Sequence, residues 1–320
     1  MKEVFAKNAR VPGVSLEKGP NSTELCLSRD DGCGRMTFYA LFPGLYLAYI
    51  DIHAPAWPIP ESAQGHGLCL LNYCSAGRCE LLLDNGSFLY VEQGDLSISG
   101  SMAKNQFVFP RKHYEGIEFY LDADRLKNDA RFLKEQFDLD PVRTMQTYCG
   151  GGETYLAKPG AETARLLEDL RNLRKSPSLF SVRLLTLELL HRLADKKPQP
   201  GTRSFYTGIQ VRIAKKAEEI LTSDLRRRYP VRELAQRFRV SETSLKNYFR
   251  GVYGQNISVY LRELRMREAA RLLSETELPV SEVSERVGYE NQGKFAAVFK
   301  ARFGTPPLSY RRRKALEKAT

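Results

Sequence analysis

The sequence has no long hydrophobic run, few histidines and no cysteine pair of the Cys-x-x-Cys type. No apolar stretch approaches the roughly 18–20 residues that cross a bilayer, and the N-terminal segment lacks the continuous apolar core of a secretory signal. We therefore expect a cytoplasmic chain with no membrane partner. Its 320 residues, 42% of them hydrophobic, are enough for two or three globular domains.

The four histidines are scattered along the chain, and no His-x-His pair exists. His66 and His113 could meet in space, but a metal site needs ligands clustered at suitable spacing. We therefore predict no metal and no cofactor. The six cysteines are interpreted as small thiols, buried or half-buried, in a reducing compartment, with a redox pair such as Cys74 and Cys79 as the alternative.

Positive charge is concentrated in the last third of the chain. Residues 205–320 contain 24 basic and 13 acidic side chains, a net charge of +11, whereas residues 1–204 contain 25 of each. An excess of this kind on one domain favours contact with a polyanion, such as nucleic acid or an anionic membrane. A basic surface that only confers solubility is the alternative on charge alone.

Residues 1–122 have the pattern of a β-rich domain. Strand-like runs occupy Leu45–Ala54 and Gly67–Cys74, and Asn85-Gly86 separates two later apolar runs. That dipeptide predicts a hairpin with a type I′ turn, which requires positive φ at both positions. Gln93-Gly94-Asp95 predicts a second turn. Short strands joined by tight turns indicate a sandwich or small barrel.

Residues 123–200 change to helical periodicity. The most apolar helix, Leu179–Leu193, has leucines over much of its circumference, so it must be buried. Packing within its own domain is one explanation, and a homodimer interface is the other. We assign 123–200 as a helical linker and dimerisation segment, and we interpret the proline-containing stretch Lys196–Ser204 as the interdomain linker.

Residues 205–320 are helical and contain an internal repeat. Val231–Gly254 and Val280–Gly304 each begin with Val-x-Glu on a short helix, turn, and continue into a second helix that ends at glycine; the second copy has one extra residue in its turn. Each second helix has an apolar residue at every fourth position: Leu245, Phe249 and Tyr253 in the first copy, Phe295, Phe299 and Phe303 in the second. This pattern predicts two helix-turn-helix motifs joined by a helix at Ser258–Glu275.

A helix-turn-helix places its second helix in the major groove of double-stranded DNA. Two copies could occupy adjacent grooves if they were held about 34 Å apart, and the 258–275 helix would be about 27 Å long at 1.5 Å per residue. The motif and the local charge together predict a DNA-binding domain at 205–320.

The second copy contains the most specific sequence signature. Its parts are Gly288-Tyr289, Phe295 to Phe299-Lys300, Gly304-Thr305-Pro306-Pro307 and Tyr310-Arg311. With the upstream copy, this pattern resembles the AraC/XylS family of bacterial transcription regulators over Gly208–Arg313. The resemblance implies a multidomain α+β protein with an N-terminal small β-barrel (cupin-like) sensor, a helical segment and a C-terminal all-α double helix-turn-helix domain.

The resemblance also implies which side chains contact DNA. In the first copy, the family's base-reading positions match Thr243, Ser244, Lys246, Asn247 and Arg250. In the second copy, Gln292 and Lys294 match base-reading positions, while Lys300 and Arg302 are placed for phosphate. The alanine at 297 departs from the larger polar residue that is common in the family. We therefore expect the first copy to supply most base specificity and the second mainly to anchor, the alternative being solvated helix faces.

Four aromatic residues of the first domain, Tyr46, Tyr49, Trp57 and Tyr73, could line an effector pocket, because pockets are mostly apolar and aromatic. Ordinary core packing is the alternative. The sequence thus predicts a non-enzymatic regulator of the AraC type, with a small-molecule effector, a homodimeric state and, for an activator, RNA polymerase as a partner. Within the family, Arg78–Ser99 and the Leu-rich helix at Leu179–Leu193 resemble regulators of iron-siderophore uptake, so the resemblance implies that the effector could be an iron-siderophore. A DNA-binding protein without an effector and a cupin-type enzyme fused to a DNA-binding domain are the alternatives.

Overall fold

The computed structural model describes residues 11–58, 68–83, 85–100, 106–149, 154–175, 177–196, 198 and 204–319. The chain divides into two compact units, Met1–Phe205 and Tyr206–Thr320. The first is β-rich with a layer of helices, and the second is all-helical, so the predicted α+β organisation is confirmed at this level. The helices of 123–200 belong to the first unit.

Eleven strands make up the described β structure of the first unit. They are β1 (Val14–Lys18), β2 (Thr23–Arg29), β3 (Gly32–Phe42), β4 (Leu45–His53), β5 (Ala56–Pro58), β6 (Leu68–Leu82), β7 (Phe88–Glu92), β8 (Leu96–Ser99), β9 (Gln106–Val108), β10 (Tyr114–Asp122) and β11 (Tyr155–Ala157). The main sheet has the order β1-β2-β3-β4-β10-β6-β8-β11. Strand β6 is shared: its first part pairs with β10 and β8, and its last five residues pair with β7, so the sheet curves into a half-barrel.

The side chains of the central strands alternate between two hydrophobic cores, one on each face of the sheet. In β4, Leu45, Leu47 and Tyr49 face one core, while Ile50 and Ile52 face the other. Successive side chains of a strand point to opposite faces, so both faces of this sheet are covered. One core fills the concave side of the half-barrel, and the other lies beneath the helices.

The helical layer consists of α1 (Ala123–Asp129), α2 (Phe132–Phe137), α3 (Pro141–Cys149), α4 (Ala161–Asn172) and α5 (Leu179–Asp195). Val182, Leu189 and Leu193 of α5 are buried against the sheet. On the same helix, Phe180 is 76% exposed and Leu184 is 56% exposed. Packing within the unit therefore accounts for one apolar face of α5 and leaves a second face open.

The predicted Asn85-Gly86 hairpin is present, with β6 and β7 paired antiparallel from Leu82 opposite Phe88. Its turn differs from the expected two-residue type I′ turn, because Gly86 N–H donates to the Leu83 carbonyl at 3.0 Å and Gly86 has φ +77°. Leu83 N–H donates to the Ser87 carbonyl at 2.9 Å, so the loop is longer than two residues. A longer loop needs only one left-handed position, which glycine supplies.

The second unit contains seven helices in its described part. They are α6 (Gly208–Ser223), α7 (Val231–Arg237), α8 (Glu242–Tyr253), α9 (Ile257–Glu275), α10 (Val280–Arg286), α11 (Gln292–Phe303) and α12 (Pro307–Ala319). Helix α9 begins one residue before the predicted connecting helix and ends at the same residue. None of the described helices of the chain is long and apolar enough to cross a membrane.

Candidate DNA-binding surface

The two helix pairs, α7–α8 and α10–α11, have closely similar turns. Val240 N–H donates to the Ala235 carbonyl at 3.0 Å in the first, and Tyr289 N–H donates to the Ser284 carbonyl at 2.9 Å in the second. Four residues separate α7 from α8, and five separate α10 from α11, as the repeat alignment predicts. Both pairs are therefore helix-turn-helix motifs.

Each turn has one residue in the left-handed region at the corresponding position. It is Arg239 in the first copy, with φ +55°, and Gly288 in the second, with φ +79°. A Cβ on Gly288 would lie 2.4 Å from the Leu225 carbonyl oxygen. Glycine is thus required there by space as well as by conformation, whereas the first copy has room for a side chain and accepts some backbone strain.

The aromatic cores of the two copies have the same geometry. Phe249 and Tyr253 have ring centroids 4.6 Å apart, and Phe249 meets Tyr260 edge-on at 5.3 Å. Fifty residues later, Phe299 and Phe303 are again 4.6 Å apart, and Phe299 meets Tyr310 edge-on at 5.3 Å. The apolar stripe of each second helix is therefore core, and the opposite face of each helix is left for other contacts.

Caps fix where each second helix begins and ends. Ser241 Oγ accepts from Ser244 N–H at 3.0 Å at the start of α8, and Asn291 Oδ1 accepts from Lys294 N–H at 2.9 Å at the start of α11. Left-handed glycines end both helices, at Gly254 and at Gly304. These are strong capping residues at their preferred positions, so the first turn of each helix is held in a defined direction.

The outer face of α8 is polar and exposed. Thr243, Lys246, Asn247 and Arg250 are all exposed, and Lys246 is 3.5 Å from Glu242, a surface pair that contributes little to stability. The predicted base-reading Ser244 is half-buried, and its hydroxyl accepts from Ser241 at 2.9 Å. The structure therefore presents four of the five predicted positions together and gives the fifth a part in the cap.

The outer face of α11 is barer. Gln292, Lys294, Lys300 and Arg302 are exposed, but Ala297 is exposed between them with only a methyl group to offer. Among the residues that the structure describes, Gln292, Lys294 and Lys300 have no side-chain hydrogen bond or ion pair. Their charges and hydrogen-bonding groups are available to a partner.

Three residues that the sequence reasoning missed hold this surface in place. The ring of Tyr206 lies 2.3 Å from where a Cβ on Gly251 would be, so glycine lets the preceding segment press against α8. A glycine inside an amphipathic helix was the available signal for such a close approach. Arg265 of α9 donates to the Arg227 carbonyl at 3.2 Å beside the second turn, and burial lowers the pKa of its guanidinium.

Several basic residues of the C-terminal run, Arg311–Lys314, have contacts within the second unit. Arg311 donates to the Leu278 carbonyl at 2.5 Å, so it ties α12 to the segment before α10. Arg313 lies over the Tyr310 ring at 5.4 Å and 3.7 Å from Glu317. Arg312 is exposed, and no hydrogen bond or ion pair of its side chain is present among the described residues.

The four predicted effector residues of the first unit do not share one surface. Trp57 is buried in the concave core, and Tyr46 packs at its edge, where its hydroxyl accepts from Arg125 at 3.0 Å. Tyr49 and Tyr73 face the helices, and their hydroxyls donate to the Leu170 carbonyl at 3.0 Å and to Glu168 at 2.8 Å. The two tyrosines thus fasten α4 to the sheet. The period-two pattern of β4 already separates Tyr46 from Tyr49.

A buried carboxyl in the concave core was not anticipated. Glu118 accepts a short hydrogen bond from Tyr120, and burial raises the pKa of this carboxyl to about 7. Nearby, Tyr114 donates to Asn72 at 2.7 Å. Residues 114, 116, 118 and 120 alternate along β10, but a polar face of a strand is ordinarily assigned to solvent.

A few side chains that can bind metal ions lie close together in the first unit. In the described residues, Glu17, Glu24 and Cys26 have ligand atoms within 4.8 Å of one another, on the edge strands β1 and β2. Glu24 is 3.5 Å from Arg35, an arrangement typical of a surface ion pair. His113 is 3.0 Å from Glu115 and stacks on His53 at 4.9 Å, while His66 lies outside the described residues.

Comparison with known proteins finds a match to a helix-turn-helix domain family over residues 234–313. The transcriptional activator RhaR of Enterobacter sp. (strain 638) is 37% identical over 93 residues, which cover 29% of this chain and 33% of RhaR. RhaR of Yersinia pseudotuberculosis serotype O:1b is 42% identical over 72 residues, covering 22% of this chain and 25% of that protein. The chain thus matches a third or less of the length of these relatives.

Among solved structures, the C-terminal domain of AraT, a response regulator from Geobacillus stearothermophilus, is 34% identical, covering 32% of this chain and 84% of that one, with a TM-score of 0.29. ToxT of Vibrio cholerae covers 76% of this chain and 89% of its own at 12% identity, with a TM-score of 0.27. Scores this low support no statement about the whole chain.

Two capped helix-turn-helix motifs on one connecting helix, in a unit with a net charge of +11, define a DNA-binding domain with two recognition helices. The matched residues include both helices of the second motif and most of the first. This C-terminal unit belongs to the AraC/XylS family.

Proposed function

We propose that the chain regulates transcription by binding promoter DNA through both helix-turn-helix motifs, and that α8 reads most of the sequence while α11 mainly anchors. The observation that supports this division is the contrast between the two outer faces. Asn247 and Ala297 occupy corresponding positions, and so do Lys246 and Ala296. Asparagine can pair bidentately with adenine and lysine can donate to guanine, whereas alanine contacts only a thymine methyl.

Anchoring by α11 follows from its cations. Lys294, Lys300 and Arg302 are exposed, and lysine or arginine contacts to phosphate position a protein without reading sequence. Such contacts release counterions, so they make affinity depend on salt concentration. Helix α9 is about 28 Å long at 1.5 Å per residue, a length suited to spacing two recognition helices by about one DNA turn.

The test compares matched variants on two duplexes, one selected in vitro from a randomised library and one scrambled. Lys246→Ala with Asn247→Ala should reduce the ratio of specific to non-specific affinity by about tenfold or more, since a bidentate base contact contributes about 1–3 kcal/mol of discrimination. Lys294→Ala should weaken binding to both duplexes similarly. Lys127→Ala, which removes an exposed lysine from the first unit, is the control. A larger loss of discrimination from Lys294→Ala would overturn the assignment.

We further propose that the first unit senses a small molecule. The buried Glu118, Tyr114 and Asn72 group supports this, because ligand sites combine an apolar lining with a few convergent polar groups. Ferric siderophores are the first compounds to test, because the sequence patterns of Arg78–Ser99 and Leu179–Leu193 resemble those of regulators of iron-siderophore uptake. A ligand of the native state should raise the melting temperature of the first unit. Lack of any stabilisation across a broad metabolite set would favour a regulator without an effector.

The exposed face of α5 supports a homodimer. Phe180 and Leu184 are one helical turn apart and exposed, and Leu187 continues the stripe as a half-buried residue. We propose that a second copy covers this stripe. Phe180→Ser with Leu184→Ser should shift the mass measured by light scattering to that of a monomer. Phe137→Ser, which changes an exposed aromatic residue on α2, is the matched control and should leave the mass unchanged.

The direction of regulation is proposed from the relatives. The two RhaR proteins are named transcriptional activators, and activation would require contact with RNA polymerase. A promoter–reporter assay in which deletion of the chain lowers expression would support activation. Higher expression after deletion would assign repression instead, with DNA binding unaffected.

A further inference from the structure

Two cysteines that are 80 positions apart in sequence meet in the first unit. Cys69 lies near the start of β6 and Cys149 ends α3. Strand β6 pairs with β8 so that Leu70 lies opposite Ser99, and the same register continued by one residue places Cys69 beside Gly100. A Cβ on Gly100 would be 3.5 Å from the Cys149 sulfur. Strand register and helix position therefore bring both thiols to one point.

The two thiols are close enough for Cys149 to hydrogen-bond to Cys69, and their environments differ. The Cys149 thiol is buried at the C-terminal end of a helix, where the helix dipole disfavours a negative charge. The Cys149 Sγ also donates to the Met145 carbonyl, with 3.0 Å between sulfur and oxygen. Hydrogen bonding by Cys149 lowers the pKa of Cys69, while the same contact and burial raise the pKa of Cys149. Of the two thiols, half-buried Cys69 therefore loses its proton more readily than Cys149.

The other described cysteines differ from this pair. Cys74 and Cys79 are buried in the concave core, and burial raises the pKa of Cys74 to about 12 and that of Cys79 as well. Inert buried thiols of this kind are structural. Cys33 is exposed on β3, and Cys26 is half-buried on β2. Redox-sensing cysteines are accessible, low in pKa and next to a resolving thiol, and Cys69 meets these conditions as a half-buried residue beside Cys149.

We propose that Cys69 and Cys149 form a peroxide-oxidisable dithiol, in which Cys69 is the nucleophile and Cys149 is the resolving thiol. The Cys69 thiolate attacks one peroxide oxygen and the O–O bond breaks; the other oxygen leaves and takes up the proton that Cys69 released. The Cys149 sulfur then attacks the Cys69 sulfenic acid, and the sulfenic oxygen leaves with the Cys149 proton as water. Two electrons pass from the two sulfurs to the peroxide, and one disulfide forms.

The disulfide would join β6 to the end of α3 and so fix that helix to the sheet covalently. The inference concerns the first unit alone and does not depend on DNA binding. It also identifies a redox pair different from Cys74 and Cys79, the one suggested by sequence spacing.

The test uses the reduced full-length chain, treated with one equivalent of hydrogen peroxide, blocked by alkylation and mapped as peptides without reduction. The expected result is one dominant cross-linked species joining Cys69 to Cys149, with equal loss of both free thiols. In Cys149→Ser, Cys69 should accumulate as a sulfenic acid that a 1,3-diketone reagent traps. Cys33→Ser should leave the cross-link unchanged.

Three outcomes would overturn the proposal. These are a dominant disulfide that involves any other cysteine, loss of Cys33 thiol before Cys69, and oxidation of Cys69 to sulfinic acid in the wild-type chain without a link to Cys149. The wild-type map requires no variant, so it remains decisive even if Cys149→Ser fails to fold. Reversal of the cross-link by a thiol reductant would separate it from irreversible damage.

Discussion

The two helix-turn-helix copies share their cores and differ in what they show to a partner. Three aromatic rings of the first copy recur 50 residues later in the second. The two ring-centroid distances measured from Phe249 equal the corresponding distances from Phe299, at 4.6 Å and 5.3 Å. On the outer faces, Asn247 corresponds to Ala297 and Lys246 to Ala296. The buried face of each recognition helix therefore specifies the fold, while the exposed face is free to differ between the copies and can determine DNA sequence specificity.

The largest expected effect tests whether the two cores are equivalent. Phe249→Ala and Phe299→Ala each remove a fully buried ring and should each lower the free energy of unfolding of the second unit by about 3–5 kcal/mol. Urea unfolding followed by circular dichroism at 222 nm measures the change. Trp57, the chain's single tryptophan, lies in the first unit, so the transition seen by its fluorescence is the internal control. A loss for only one variant would break the equivalence of the two cores.

Substitutions at the left-handed residues of the two turns should change the free energy of unfolding in opposite directions. Gly288→Ala should destabilise the second unit by about 2–4 kcal/mol, because the new Cβ clashes with the Leu225 carbonyl in a left-handed conformation. Arg239→Gly should stabilise it by about 1 kcal/mol, because glycine relieves the left-handed strain at the corresponding position. The same urea titration reports both. If Arg239→Gly instead destabilised the second unit, the contacts of the Arg239 side chain would stabilise the fold by more than the backbone strain destabilises it.

The sequence was sufficient to predict the two helix-turn-helix copies, because the signals that define them are local. Every-fourth-residue apolar spacing, the prolines before α7 and α10, and the terminal glycines each act within one or two helical turns. Helix boundaries in the second unit consequently agree with the pattern to within about one residue at α9. Similarly, Asn85-Gly86 located a hairpin, although its turn type depended on the loop length.

The first unit was less predictable because its decisive contacts join distant segments. The pairing of Cys69 with Cys149 depends on strand register and on where α3 packs. The inward direction of Glu118 could not be inferred from alternation alone, which gives two faces but not which of them is solvated. The Leu-rich helix α5 likewise has one buried and one exposed apolar face, and composition does not distinguish them.

A smaller effect is expected from exchanging the corresponding outer residues. Asn247→Ala should lower the preference for the selected duplex over its best single-base variant by about 1–3 kcal/mol, because the proposed bidentate contact to adenine would be lost. Ala297→Asn should leave stability unchanged, since position 297 is exposed, and should create a new base preference within the part of the site covered by α11. Binding selections on randomised duplexes compare the two. An unchanged base preference on Asn247→Ala would mean that Asn247 of α8 reads no base and would contradict the proposed division between the two copies.

The smallest effect distinguishes anchoring from reading. Arg250 and Lys300 occupy corresponding positions, one turn before the terminal glycine of each helix. If Lys300 contacts only phosphate, Lys300→Ala should weaken binding to the selected and scrambled duplexes by the same few-fold factor. It should also reduce the slope of log affinity against log salt by about 1. Arg250→Ala is the matched variant, and it should in addition lower discrimination if α8 reads bases at that point. Equal loss of discrimination in both variants would remove the functional difference between two copies whose cores are alike.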